Sequence, residues 1–303
     1  MRHLIIIGML IGAGAAAQEQ EYKISAHAEL VLLDVGVKDK KGGYVSNLTK
    51  DNFKIFENGK PQVITQFAND DVPVTVGLVI DNSGSMQPKR PEVITAGLAF
   101  IHASNPEDEI FITHFNDRAK LSLPPDTPFS GDAGILRSAL LSDPAAGKTA
   151  LYDAVLLSLN HLQAGKKDKK TLVLVSDGGD NASVHTSKDV MPAVQESRAT
   201  IYTIGIFDDE DPDRNPGLLR RLANISGGEA FFPKQLPEVI GICRQIAKDI
   251  RTRYTIGYVP VRTDEKGAVR SIKVAVTGTD RHDLIVHART SYVLPERGGG
   301  GQQ

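Results

Sequence analysis

Cys243 is the only cysteine in the chain, so an intramolecular disulfide framework is excluded. It lies in P-E-V-I-G-I-C-R-Q-I-A-K-D-I, where Val239, Ile242, Cys243, Ile246 and Ile250 recur at helical spacing. That stripe predicts a small core residue rather than a reactive thiol. A dominant charge sign is also missing. With 35 Lys and Arg against 37 Asp and Glu, the formal net charge is −2 over 303 residues, which removes the electrostatic basis for a polyanion or an anionic membrane surface as partner. Nucleic acid is therefore not expected. No apolar run approaches the roughly 20 residues a membrane-spanning helix needs. There is no H-E-x-x-H and no clustered Cys/His pair, so zinc lacks its ligands. There is no G-x-S-x-G either, so a serine hydrolase lacks its nucleophile elbow. His102, His114 and His185 are isolated and read as structural.

What is present begins at the N-terminus. Arg2 and His3 precede an apolar run from Leu4 to Ile11, then small residues from Gly12 to Ala17 and a polar Q-E-Q. This is the pattern of a secretory signal peptide cut after Ala17. The expectation is an exported chain from about Gln18, secreted or periplasmic, without a transmembrane anchor after cleavage. No cysteine follows Ala17 to accept a lipid.

The most informative stretch runs from Val74 to Met86, V-T-V-G-L-V-I-D-N-S-G-S-M. An apolar, β-branched strand ends on Asp81, followed by Ser83 and Ser85. Ligands of open α/β sheets bind beyond the carboxyl ends of such strands, so D-x-S-x-S stands where a site belongs. Hydroxyl and carboxylate oxygens suit a hard cation, and Mg²⁺ takes six oxygen donors, several of them water. Three residues on one loop cannot fill that shell. Two further candidates sit at the same predicted sheet edge: Thr149, in G-K-T-A-L-Y-D-A-V before a helical pattern, and Asp177, at the end of T-L-V-L-V-S-D. The plainer alternative is that Asp and Ser after a strand simply form a turn or cap the next helix. Asp153 and Asp180 read as a helix first-turn acid and a loop acid, and Lys148 has no assigned role.

Asp81, Ser83, Ser85, Thr149 and Asp177 resemble, by type and order, the five positions of the metal-ion-dependent adhesion site of von Willebrand factor A domains. The resemblance implies that Ser83 and Ser85 ligate the cation directly, Thr149 directly or through water, and Asp81 and Asp177 mostly through water. It also implies one coordination position left for an acidic side chain of a partner protein. A shell of neutral hydroxyls and water leaves the ion most of its charge, which attracts such a carboxylate. Mg²⁺ is the expected ion, with Mn²⁺ or Ca²⁺ open. The Gly147-Lys148-Thr149 run is no phosphate loop, because that pattern needs glycine where Ser142 stands.

From 72 to 252, apolar strands alternate with amphipathic helices, which predicts an α/β fold with a doubly wound, mostly parallel, Rossmann-like sheet. The predicted helices are Lys89 to Ala103, Ala133 to Leu141, Leu151 to Leu162, Lys188 to Ser197, Gly217 to Ile225 and Leu236 to Thr252, with a short strand expected near Lys120 to Leu123. Residues 18–71 and 253–295 read as β segments, among them D-L-I-V-H-A-R-T-S-Y-V as one strand, with turns at Asn58-Gly59, Lys266-Gly267 and Thr277-Gly278. Short strands cannot stand alone, so the two flanks are expected to pair into one small β domain. Residues 1–17 form the predicted leader and 296–303 a predicted disordered tail. The layout resembles a bacterial group of secreted A-domain proteins, through L-x-x-x-x-F-x-I-x-E-N-G-x-P-Q from Leu48 to Gln62 and R-Y-x-x-G-Y-x-P from Arg253 to Pro260.

The leading expectation is a cation-dependent, adhesion-type binding protein rather than an enzyme. A scaffold that binds through its β flanks around a structural metal is the alternative. A metal-assisted hydrolase lacks a general base, since both acids are committed to the metal. The oligomeric state is left open.

Overall fold

The computed structural model describes residues 30–207, 214–260, 268–279 and 283–293. The leader at 1–17, the turn at Lys266-Gly267 and the tail at 296–303 lie outside the described residues. In chain order the elements are β1 (Val31–Lys38), β2 (Phe53–Glu57), β3 (Lys60–Gln62), β4 (Ile64–Ala68), β5 (Thr75–Asp81), α1 (Arg90–Ala103), β6 (Glu109–Phe115) and β7 (Ala119–Leu121). There follow α2 (Ala133–Leu141), α3 (Leu151–Leu162), β8 (Lys170–Ser176), α4 (Ser187–Glu196), β9 (Thr200–Gly205), α5 (Pro216–Ser226) and β10 (Ala230–Phe231). The last are α6 (Glu238–Arg251), β11 (Tyr254–Tyr258), β12 (Val269–Val276), β13 (Ile285–His287) and β14 (Ser291–Val293).

The apolar run of β5 makes it a central strand, buried along its whole length. Alternate residues face opposite ways. Val76, Leu78 and Ile80 enter the core shared with α1, α2 and α6, while Val79 enters the core shared with α3, α4 and α5. The sheet order is β10-β9-β8-β5-β6-β7. All neighbours are parallel except the edge strand β7, which runs antiparallel to β6. Strand order reverses at β5: the chain goes to β6 and β7 on one side, then returns to β8, β9 and β10 on the other. The crevice between β5 and β8 is thus the topological switch point, where such sheets bind ligands.

The flanks interleave. β1 pairs with β11 and β13, β4 with β11, and β2 with β12, all antiparallel. The result is two four-stranded sheets, β13-β1-β11-β4 and β14-β12-β2-β3, sharing one core that includes Leu33, Val35, Phe53, Ile55, Ile256 and Ile272. Asn58 and Gly59, both at positive φ (48° and 77°), form the tight β2–β3 turn. At the centre of this core is a buried acid. Tyr258 and Tyr292 each donate to Glu57 Oε2 at 2.7 Å, and Arg270 Nη1 donates to Oε1 at 2.7 Å. Tyr254 donates to the Val45 carbonyl at 2.7 Å and accepts from the Leu48 amide at 3.0 Å. The tyrosines of R-Y-x-x-G-Y and the glutamate of E-N-G therefore tie the two flanks to each other.

Three local expectations need correction. The helix read from Lys89 is α-helical from Arg90 and is preceded by a 3₁₀ turn at Gly84–Lys89 that contains Pro88. The stretch D-L-I-V-H-A-R-T-S-Y-V is not one strand: β13 joins β1 and β14 joins β12, in different sheets. Between them Arg289 turns away to the carbonyl of Ser197, and the Thr290 amide donates to Ile225. The short strand placed near Lys120 to Leu123 is Ala119–Leu121.

Candidate metal centre

Asp81 is the last residue of β5, and Asp177 directly follows β8. These strands are neighbours, with Ile80 level with Val175, so the fold itself brings the two acids together at the switch point. The Ser83 amide donates to Asp81 Oδ1 at 2.9 Å, folding the chain back on itself. The Ser83 and Ser85 hydroxyl oxygens are 3.1 Å apart, and Ser85 donates to Asp177 Oδ2 at 2.6 Å. Four of the five expected residues are thus joined in one hydrogen-bonded chain.

Thr149 arrives on a separate loop through backbone contacts. The Gly84 amide donates to the Gly147 carbonyl at 3.0 Å, and the Ala146 amide to the Asn82 carbonyl at 2.8 Å. The Thr149 amide donates to Asn181 Oδ1 at 2.9 Å, and its carbonyl accepts from the amides of Asn181 and Ala182. Gly147 has φ +82°, and a Cβ there would lie 2.4 Å from Asp117 Oδ2, so only glycine fits this bend. Thr149 is buried, as are Asp81, Ser83 and Asp177.

Ser176, Asn181 and Asn82 are contributors that the sequence reading left unassigned. Ser176 donates to Asp81 Oδ2 at 2.6 Å and accepts from the Gly178 amide at 3.0 Å. Its adjacency to Asp177 in S-D-G was the available signal. Asp153 and Asp180 serve the backbone: Asp153 accepts from Val184 and His185, and Asp180 from Tyr152 and Ser183. Lys148 is exposed, its amide held by Asp117. Cys243 is a core residue whose thiol burial pushes up to about 12. His114 does approach a serine, with Nδ1 3.0 Å from Ser122 Oγ and 3.1 Å from Asp143 Oδ2. Both contacts fall on one nitrogen, whereas a proton relay needs one partner on each.

Electrostatics decides what this arrangement can do. Asp81 and Asp177 are each 2% exposed. Burial first, and then the charge of Asp177, push the Asp81 carboxyl up to about 7, against the pull of its bonds from Ser176 and Ser83. Two acids held together away from water are costly unless a countercharge joins them. Among the described residues no three His, Cys, Asp or Glu side chains converge on one point. The side chains joined here, the carboxylates of Asp81 and Asp177 and the hydroxyls of Ser83 and Ser85, offer oxygen alone, which fits a small hard cation.

Among the described residues no helix is long and apolar enough to cross a membrane. The family model of the von Willebrand factor type A domain matches residues 76–179, a span that holds all five site residues. No curated relative matches the chain. Among solved structures, a von Willebrand factor type A protein from Catenulispora acidiphila is similar over 90% of this chain and 76% of its own, at 13% identity and a TM-score of 0.53. Proximal thread matrix protein 1 from the mussel byssus is similar over 65% of this chain and 51% of its own, at 14% identity and a TM-score of 0.50. The von Willebrand factor domain of a type V pilus tip protein from Porphyromonas gingivalis covers 59% of this chain and 95% of its own, at 14% identity and a TM-score of 0.48. The fold, a mostly parallel central sheet with helices and extra antiparallel sheets from the flanks, is the von Willebrand factor A fold.

Proposed function

We propose that the chain is a divalent-cation-dependent protein-binding module that grips an acidic side chain of its partner. The observation carrying this reading is the hydrogen-bonded chain Asp81–Ser83–Ser85–Asp177 at the switch point, with two buried acids whose charges repel. Ser83, Ser85 and Thr149 would hold the cation, and Asp81 and Asp177 would balance its charge. When bound, the cation, expected to be Mg²⁺, supplies a positive position that a partner's Asp or Glu completes. Ser176 keeps Asp81 aimed into the site by donating to its outer oxygen. The β5 and β8 ends fix the spacing of the acids, so the site needs little reorganisation on binding.

In this reading the binding unit is 72–252, and the flanks 18–71 and 253–295 form one accessory β module. The role is binding rather than turnover, since both acids are engaged and neither is left as a general base. Export to a secreted or periplasmic location is part of the proposal, resting on the apolar N-terminal run. The test is capture of proteins from the exported fraction by the immobilised chain in Mg²⁺ and in EDTA. Capture lost in EDTA and in Ser83→Ala and Asp177→Ala is expected. Capture indifferent to all three would sink the reading.

A further inference from the structure

Thr149 sits near the end of a loop, residues 142–150, that joins α2 to α3 without regular structure of its own. Both ends of that loop are held by the β6–β7 hairpin. At the near end, the Asp143 carboxylate receives Lys120 Nζ at 2.6 Å, His114 Nδ1 at 3.1 Å and Ser142 Oγ at 3.2 Å. At the far end, the Lys148 amide donates to Asp117 Oδ1 at 3.0 Å and the Ala150 amide to the Asn116 carbonyl at 2.8 Å. Between these anchors the loop binds the D-x-S-x-S segment directly. Asn82 Nδ2 donates to the Asp143 carbonyl at 3.3 Å, and the Ala146 and Gly84 amides complete the pairing.

His114 is the odd member of this set. It is 2% exposed, on the β6 face whose other residues, Ile110 and Ile112, are core aliphatics. Its Nε2 is buried without a hydrogen-bond partner. An apolar side chain at this position would avoid that cost, so the imidazole is explained by what its other nitrogen does. Asp143 can only accept, so Nδ1 carries the proton, which it shares between Asp143 Oδ2 at 3.1 Å and the Ser122 hydroxyl oxygen at 3.0 Å. Burial pulls the imidazole down to about 4, which keeps it in this neutral form at neutral pH.

We propose that His114 and Asp143 are positioning residues for the cation site: they clamp the 142–150 loop so that Thr149 is presented to Ser83 and Ser85. The inference rests on the cation-site reading above. It assigns a role to residues outside the five, and it makes cation affinity depend on a hydrogen bond on the hairpin side of the sheet.

The experiment is a calorimetric Mg²⁺ titration of the full chain and of variants checked for matching thermal midpoints. Asp143→Ala and His114→Leu are each expected to weaken Mg²⁺ binding about tenfold, the usual scale for residues that orient a ligand from behind. His114→Asn, which retains a donor, is expected to recover most of that loss. Because Asp143 acts through Thr149, the double variant Asp143→Ala/Thr149→Ala should bind no more weakly than Thr149→Ala alone. Should Asp143→Ala disturb folding, Asp143→Asn takes its place in the same cycle. Wild type that binds while Asp143→Ala or its substitute binds equally well overturns this inference alone, as do losses that multiply in the double variant. A wild-type chain that binds no ion overturns the site reading and this inference together.

Discussion

Replacing Arg253 by methionine should be the most damaging single change at the junction between the central sheet and the flanks. The guanidinium is 3% exposed at the point where α6 passes into β11. Its Nη2 lies 2.7 Å from the Asp34 carbonyl, 2.6 Å from that of Gly227 and 3.0 Å from that of His287. Nη1 donates to the Tyr202 hydroxyl at 3.2 Å, and Nε is 3.8 Å from Asp34 Oδ2. Two hydrogens on Nη2 serve three carbonyls, so at least one bond is shared. Methionine fills much of the volume but donates nothing, leaving those carbonyls without their donor and the Asp34 carboxylate with only Lys169, 4.0 Å away. An orphaned buried acceptor costs about 1–3 kcal/mol, and breaking a buried charge pair about 3–5 kcal/mol. Because water can reach some of the vacated groups, the expected loss is about 4 kcal/mol, which for a chain of this size lowers the thermal midpoint by roughly 10 °C. Arg253→Lys, with one compact charge, should recover only part of it. Arg251, two residues earlier, pairs with the half-exposed Asp71, and Arg251→Met should cost no more than about 1 kcal/mol. Denaturant unfolding followed by circular dichroism reads all three. An Arg253→Met loss no larger than that of Arg251→Met would refute the argument.

Further outcomes follow from other buried groups. Removing the charge of Glu57 with Glu57→Gln leaves Arg270 buried without its anion and should cost about 3 kcal/mol; the two tyrosine bonds to Glu57 give Tyr258→Phe a smaller loss of about 2 kcal/mol, both read by denaturant unfolding. His114 titrates near 4 when folded against 6.5 when unfolded, a difference worth about 3 kcal/mol. The unfolded chain takes up the proton first, so this contribution is present above pH 6.5 and lost as pH falls through 4. His114→Leu should flatten the stability profile in that window, and an unchanged slope would contradict the assignment. Gly147→Ala places a Cβ against Asp117 at φ +82° and should cost about 1–2 kcal/mol while weakening cation binding; wild-type stability and affinity would show that the bend is not required.

Much of the central sheet was legible because β5, β6, β8 and β9 are apolar runs between helices with clear periodicity, and several helix ends were read to the residue. That Asp81 and Asp177 end apolar strands was legible for a related reason, whereas the adjacency of those strands was not, because β6 and β7 come between them in the chain. What could not be read is side-chain chemistry between distant segments. Ser176 looks like any strand residue until its hydroxyl is seen on Asp81. Glu57 looks like a surface acid beside a turn, yet it is the polar centre of the flank core, because its partners Tyr258, Arg270 and Tyr292 come from the other end of the chain. His114 looks like a lone core histidine, since Asp143 and Lys120 meet it only after the hairpin and the α2–α3 loop fold together. The break between β13 and β14 was invisible because the alternating pattern continues through Ala288 and Arg289 while the chain changes sheets.

We propose that the oxygens at the switch point bind a hard divalent cation. A calorimetric Mg²⁺ titration of the wild-type chain beside Ser85→Ala, with equal folding of both established by circular dichroism, tests it most directly. One bound ion is expected for wild type and none for Ser85→Ala, with release of the bound ion by EDTA. Absence of binding in the folded wild type, or equal binding by Ser85→Ala, would contradict it.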